Sequence, residues 1–343
     1  MKKLLFGIVA LTNSLIGQQE EPFYPPEEIA GELSHANEDL ARAQKMFNPW
    51  YTGPILAGSA SMMPPGLVNI QPYFFNQDNF ATYNNKRKSV DHADFWQINP
   101  NLVIVTGITS WMDISLVPNF SSNNIHSIWH TGFSDLPISL GFKICDEGVY
   151  RPKMKFQLNE SFPTGKYQHL SASKEGTDAM GSGSYITGLS FRASKILFWW
   201  TQHPLATRLV MTYNIPSTVH VEGLNSYGGG HGTSGRVRPG NSFNTDIGLE
   251  WSLSQKWVIA TDLVYQTTNR TKFSGKKGIN PKTGLQNPIA GPSSDYLQIA
   301  PAIEYNYNEN LGFIGGAWFT VYGRNTSHFI NYVLSVSYTF SVK

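Results

Sequence analysis

One cysteine in 343 residues, Cys145, leaves no partner for a disulfide within the chain and no thiol-rich metal site. Charge is sparse as well. Lys, Arg, Asp and Glu make up 15% of the residues, against about a quarter in soluble globular proteins. The net charge of +2 is too balanced to point to a nucleic-acid partner. Long apolar runs are also missing. Beyond the N-terminus the longest rival is "ILFWW" at 196–200, far short of the roughly 20 residues of a membrane helix. The patterns GxSxG, HExxH and GxxxxGK[ST] do not occur. His126, His130, His220 and His231 lack a paired spacing, and "GGGHGTSG" reads as a flexible loop, having no strand-to-helix context. No catalytic residue, metal or cofactor is therefore expected.

What is present begins with a leader. Lys2 and Lys3 precede the apolar "LLFGIVAL", the pattern of a secretory signal over residues 1–17. Its cleavage position is unfixed, because Leu15 stands where a small residue is usual. Residues 18–65 then form a periplasmic segment with a helix over about 26–47. Pro26 suits the first turn, and Glu27 and Glu28 suit its positive end. Ile29, Leu33, Ala36, Leu40, Ala43 and Phe47 form one apolar stripe. Under three heptads long, it is read as packing on something nearby rather than as a coiled coil.

From Gly66 on, the helical period gives way to alternation. Val68, Ile70, Pro72 and Phe74 share a face, as do Leu136, Ile138, Leu140 and Phe142, and later Trp257, Ile259, Leu263 and Tyr265. About twelve such segments occur. Long polar connections, such as 76–94 and 121–133, mostly alternate with short ones, such as "GITS", "SLSQK" and "NENL". One end of an up-and-down sheet would then be tight and the other loop-rich. The expected fold is all-β: an antiparallel up-and-down transmembrane β-barrel of about twelve strands over residues 66–343, preceded by the short periplasmic amphipathic helix. In lipid every backbone N–H and C=O needs a partner within the protein, so such a sheet must close. A soluble two-sheet sandwich is the rival; its exposed aromatics would be too many. An even strand number puts both termini on the short-turn, periplasmic side.

If the apolar faces meet lipid, the alternate residues line the interior. Lys143, Arg151, Lys153 and Lys155 then crowd two adjacent strands, with Arg192 and Arg208 further round, and Asp113, Asp246, Glu250, Asp262 and Glu304 lie mostly on later strands. Directed at lipid, each charge would cost about 2–4 kcal/mol near the midplane. Two readings stay open: a polar passage with a transverse field, or a filled lumen braced by ion pairs. Trp96, Trp111, Phe162, Trp199, Trp200, Trp251, Trp257, Tyr307 and Tyr338 fall near strand ends, where amphipathic rings form interfacial girdles. The chain closes on "NYVLSVSYTFSVK". Tyr338 and Phe340 resemble the C-terminal signal read by barrel assembly machinery, with Ser341, Val342 and Lys343 as a dangling overhang.

Four stretches, "NPWYTGPILAGSASMMPPGLVNIQPYFF" (48–75), "DLPISLGFKI" (135–144), "ESFPTGKY" (160–167) and "GSGSYITGLSF" (181–191), resemble the bacterial outer-membrane proteins grouped as the "MetA-pathway of phenol degradation" or transporter-like family. In that family "GTGS" precedes the strand where this chain has Gly181-Ser182-Gly183-Ser184. The resemblance implies an outer-membrane channel or transporter for a small solute, aromatic or hydrophobic compounds being one class. It carries no catalytic residues, and the family name does not imply phenol degradation by this chain. The expected partners are outer-membrane lipid, the assembly machinery and the solute. The alternative is a non-transporting barrel whose outside loops bind a partner. An outer-membrane lipid hydrolase ranks last, since no expected wall strand pairs a Ser with a His; His328, at a strand mouth, comes nearest.

Overall fold

A computed structural model describes residues 26–46, 49–197, 203–280 and 283–342. The chain divides into two units, 1–46 and 47–343, each described by itself. In the first lies helix α1 (Pro26–Met46), with Pro26 opening it and Glu27 and Glu28 in the first turn. The expected leader, residues 1–17, lies outside the described residues.

The second unit is a closed antiparallel barrel of twelve wall strands. The first two are β1 (Leu67–Tyr83) and β2 (Ser89–Thr109). The third is made of β3 (Met112–Leu116) and β4 (Phe120–Ile125), and the fourth of β5 (Ile128–Phe133) and β6 (Leu136–Cys145). Next come β7 (Lys153–Phe162), β8 (Ile186–Leu197) and β9 (Leu205–Pro216). Beyond the rim, β10 (Val219–Glu222) and β11 (Ser234–Arg238) precede wall strands β12 (Ser242–Ser252) and β13 (Trp257–Thr268). After β14 (Lys272–Lys276), also beyond the rim, the wall ends with β15 (Ser294–Asn306), β16 (Leu311–Arg324) and β17 (Thr326–Ser341). Closure is made by β1, which pairs with β2 on one side and with β17, from Leu67↔Ser341 to Tyr83↔Thr326, on the other.

The faces are inverted relative to a soluble protein. Leu158, Leu189, Ile247, Ile259, Leu263 and Leu334 are exposed on the outside, while Glu250, Asp262 and Glu304 are fully buried inside. Exposed Trp111, Trp251, Trp257 and Tyr307 mark the short-turn end. Phe162, Tyr185, Phe243 and Tyr265 mark the other. Trp257 and Tyr265 are eight residues apart on β13. At ~3.4 Å per residue and a tilt of about 40°, that spans roughly 20 Å of membrane normal, close to the ~25 Å apolar band of such barrels. Trp199 and Trp200 lie outside the described residues.

Three stretches expected as loops are ordered differently. Residues 76–94 continue the β1–β2 ladder as far as Tyr83↔Ser89, closed by a turn at Asn84–Lys88. Residues 121–133 are the β4–β5 hairpin, turning on His126 and Ser127, both with positive φ. In both, the ladder outlasts the apolar alternation, because strands beyond the hydrocarbon are wet on both faces and need no period. "GGGHGTSG" is likewise tied into backbone pairing. His231 and Ile279 exchange both backbone hydrogen bonds, and Thr233 Oγ1 accepts from Gly230 N (2.7 Å) and Gly278 N (2.9 Å).

The overhang does not dangle. Ser341 pairs with Leu67, and Val342 N donates to Gly66 O at 2.8 Å, so the last residues lengthen the closing seam. Lys343 lies outside the described residues. Deleting residues 341–343 is therefore expected to lower the temperature at which the folded band converts on heat-modifiability gels. One or two lost seam bonds at about 1 kcal/mol each correspond to roughly 2–4 °C. Phe340→Ala should leave that temperature nearly unchanged in whatever protein assembles but reduce the assembled fraction.

Candidate functional site

The segment before the first strand, residues 49–65, lies inside the barrel. It enters at the short-turn end, where Trp50 N donates to Gln255 O and Asn306 Nδ2 donates to Trp50 O at 3.0 Å. It then crosses from the β15 side to β2 before turning at Gly66 into β1. Each stage is tied to an inward side chain. Glu304 accepts from Thr52 N (2.8 Å) and Gly53 N (3.3 Å). Asp262 accepts from Leu56 N (3.1 Å) and Ala57 N (3.0 Å). Ser194 Oγ accepts from Ala60 N at 3.0 Å, and Asp113 accepts from Met63 N at 3.3 Å. A segment with no sheet or helix of its own thus has its N–H groups satisfied by wall carboxylates.

Close approach is made room for by small residues. A Cβ on Gly248 would stand 2.8 Å from both Pro54 and Ala57, and one on Gly312 would overlap Thr52. Ile55 is buried in a cluster with Ala260, Ala300, Ala302, Ile314 and Val333, so this strap gives the barrel an apolar core of its own.

Of the inward charges expected from the sequence, most are engaged. Arg208 makes a two-pronged ion pair with Glu250, Nε–Oε2 2.6 Å and Nη2–Oε1 3.0 Å, and Arg208 Nη1 donates to Ala57 O at 3.2 Å. Lys155 pairs with Asp113 at 2.8 Å, both buried. Lys153 lies 3.7 Å from Glu147 and Lys143 3.2 Å from Asp146, both partners in the β6–β7 turn. Arg151 is not on the wall: it sits in that turn, donating to Asp146 O at 3.3 Å. Arg192 Nε and Asp246 Oδ1 are buried without a hydrogen bond among the described residues. Sequence periodicity found the inward positions but not their partner, because the strap has no period to read.

Beside the strap remains a cavity of about 760 Å³. Its wall from β17 through β1 to β2 offers uncharged groups, Asn69, Gln71 and Asn101 with Tyr73 and Val103, while Asp113, Lys153, Lys155, Arg192 and Lys195 line it further round. At the opposite end the motif stretches of the family resemblance meet at one carboxylate. Asp135 accepts from Gly165 N (3.0 Å), Ser182 N (2.8 Å) and Ser182 Oγ (2.8 Å), clasping the ends of the 163–185 loop. His328 does have a serine partner, Ser89 Oγ at 2.9 Å. The contact is through Nδ1, however, and among the described residues no acid within hydrogen-bond reach orients the ring, which packs on Phe80 and Tyr83.

This architecture is that of outer-membrane β-barrels. No family model and no curated protein matches the sequence. Among solved structures, the COG4313 outer membrane channel from Pseudomonas putida F1 is similar at a TM-score of 0.64 and 13% identity, over 82% of this chain and 98% of that one. The translocator domain of the autotransporter NalP from Neisseria meningitidis superposes more loosely, at 0.44 and 11%, over 90% and 97%. So does the NanC porin, at 0.42 and 10%, over 78% and 98%.

Replacing Gly248 by Leu should push the strap off the wall, since its side chain would meet Pro54 and Ala57 first and Asp262 Oδ1, at 3.3 Å, next. The expected outcome is a severalfold rise in single-channel conductance with the barrel still heat-modifiable. Asp135→Ala should leave conductance unchanged while exposing the 163–185 loop to added protease.

Proposed function

We propose that the chain is a bacterial outer-membrane channel for a small uncharged solute, with its short turns and both termini in the periplasm and residues 1–17 as its leader. The observation that carries this reading is the cavity of about 760 Å³ beside the strap, whose wall from β17 to β2 is uncharged. Most of the wall carboxylates are held by strap N–H groups or by ion pairs, Asp246 being the exception, which weakens the field they exert on passing ions. Asn and Gln amides beside Tyr73, Phe75, Val103 and Val105 suit solutes with an apolar body and one or two polar groups, which includes small aromatic compounds. A surface protein that only binds a partner through its loops is the second reading, favoured by how firmly the 163–185 and 217–241 loops are packed.

Planar-bilayer recording and liposome swelling separate these. The channel reading expects small ohmic conductance, and swelling in neutral aromatic alcohols faster than in sugars of equal size. Silence in both the native protein and Gly248→Leu would leave the surface-binding reading ahead. Lys153→Gln should shift ion preference only slightly toward cations, because Lys153 already has Glu147 beside it. Phospholipid hydrolysis that disappears in Ser89→Ala would instead move the assignment to a lipid hydrolase.

A further inference from the structure

Beyond the rim, β10, β11 and β14 form a separate three-stranded sheet in the order β10-β11-β14. The strands continue, in the same order, from β9, into β12 and from β13. One face is apolar: Val219, Val221, Val237 and Ile289 are buried there against Tyr167, Tyr227 and Phe273. The other face is exposed and cationic. It carries Arg236 and Arg238 on β11 and Lys272 and Lys276 on β14, with His220 opposite Arg236. Arg238 and Lys272 are directly opposed across the ladder. Like charges in that position destabilise a sheet unless something neutralises them. None of these four cations has an ion pair among the described residues. The one carboxylate on the face, Glu222, is 3.7 Å from His169.

Height above the membrane identifies the neutralising group. Arg238 precedes Ser242 of β12 by four residues, and Lys272 follows Thr268 of β13 by four. At ~3.3 Å per residue, the first opposed pair stands at most about 13 Å beyond the wall strands. The rings of Phe243 and Tyr265 mark the edge of the apolar band just below. That is the level of lipid headgroups rather than of distant polymer. We propose that this face docks the phosphates of the outer-leaflet glycolipid, its cations neutralised by the phosphorylated sugars of lipid A. Arginine forks and ammonium groups match phosphate oxygens, and a regular strand pair holds them at fixed spacing. The inference rests on the loop-rich end facing outward, as in the reading above.

The test uses the full-length protein in nanodiscs containing bis-phosphorylated lipid A or its dephosphorylated form, with bound lipid counted by native mass spectrometry. The compared variant is Arg236→Gln, Arg238→Gln, Lys272→Gln, Lys276→Gln, whose conductance should equal that of the native protein. With four basic residues removed from an anionic surface, retention of the phosphorylated lipid should be at least ~10-fold greater for the native protein than for the variant. It should also weaken as salt rises. Equal retention by native protein and variant, or of both lipid forms, would overturn the proposal. Free inorganic phosphate displacing the lipid completely at millimolar concentration would overturn it too, since it would reveal a simple anion site. Orientation is checked separately by Asn85→Cys, exposed in the β1–β2 turn at the loop-rich end and off this face, in a Cys145→Ser background. Labelling by an impermeant maleimide on intact cells supports an outward loop end. No labelling overturns the orientation, and with it the docking, whatever the conductance shows.

Discussion

Every feature of this barrel depends on the seam between β1 and β17. Backbone N–H and C=O groups have no water to turn to in hydrocarbon, so an unpaired edge would cost several kcal/mol per group. Pairing from Leu67↔Ser341 to Tyr83↔Thr326 removes that edge. Once the sheet is closed, its side chains have two destinations only, lipid or lumen, and polarity assigns them. The greasy outer face and the buried carboxylates are both consequences of that closure.

Inside, a second constraint takes over. A lumen lined by Asp113, Glu250, Asp262 and Glu304 would be expensive to keep dry and ion-selective if wet. Here those groups are held by backbone N–H donors from 52–63 and by Arg208 and Lys155. The strap therefore lies where it does because the wall supplies acceptors, and the wall carries acceptors because a strap without secondary structure has donors to satisfy. What is left over is a cavity that reaches from these held charges to the uncharged wall of β1 and β2. Of the two readings left open by the sequence, the filled lumen describes the strap side of the cross-section, and a passage would have to run through the cavity beside it.

The membrane part of the fold was legible because lipid imposes a period of two. Val68 to Phe74 and Trp257 to Tyr265 announce their faces directly. Legibility failed where lipid stops: residues 76–94 and 121–133 are strands without alternation, and "GGGHGTSG" is ordered by backbone pairing that leaves no side-chain signature. Inward charges were found as the complement of the apolar face, except Arg151, whose parity fitted although it sits in a turn. Partnership was not legible at all. Nothing in "TGPILAGSASMM" shows that its amides meet Asp262 and Glu304, although the glycines at 248 and 312 are traces of the space it needs. The stretches that carry the family resemblance fall on the strap and on the Asp135 clasp, the two places where chain distant in sequence is held by specific contacts.

The track of small residues beneath the strap has one more consequence. Lipid distinguishes only odd from even: a strand slipped by two residues would still turn its apolar face outward and its polar face inward. The strap is not indifferent to such a slip. Gly248, Ala260, Ala300, Ala302 and Gly312 form the floor on which Thr52 to Ala57 rest. Moving any of these strands by two positions would bring a different side chain under the strap and carry Asp262 or Glu304 away from its donors. The bilayer thus sets register modulo two, and a short irregular segment of the same chain supplies the absolute count.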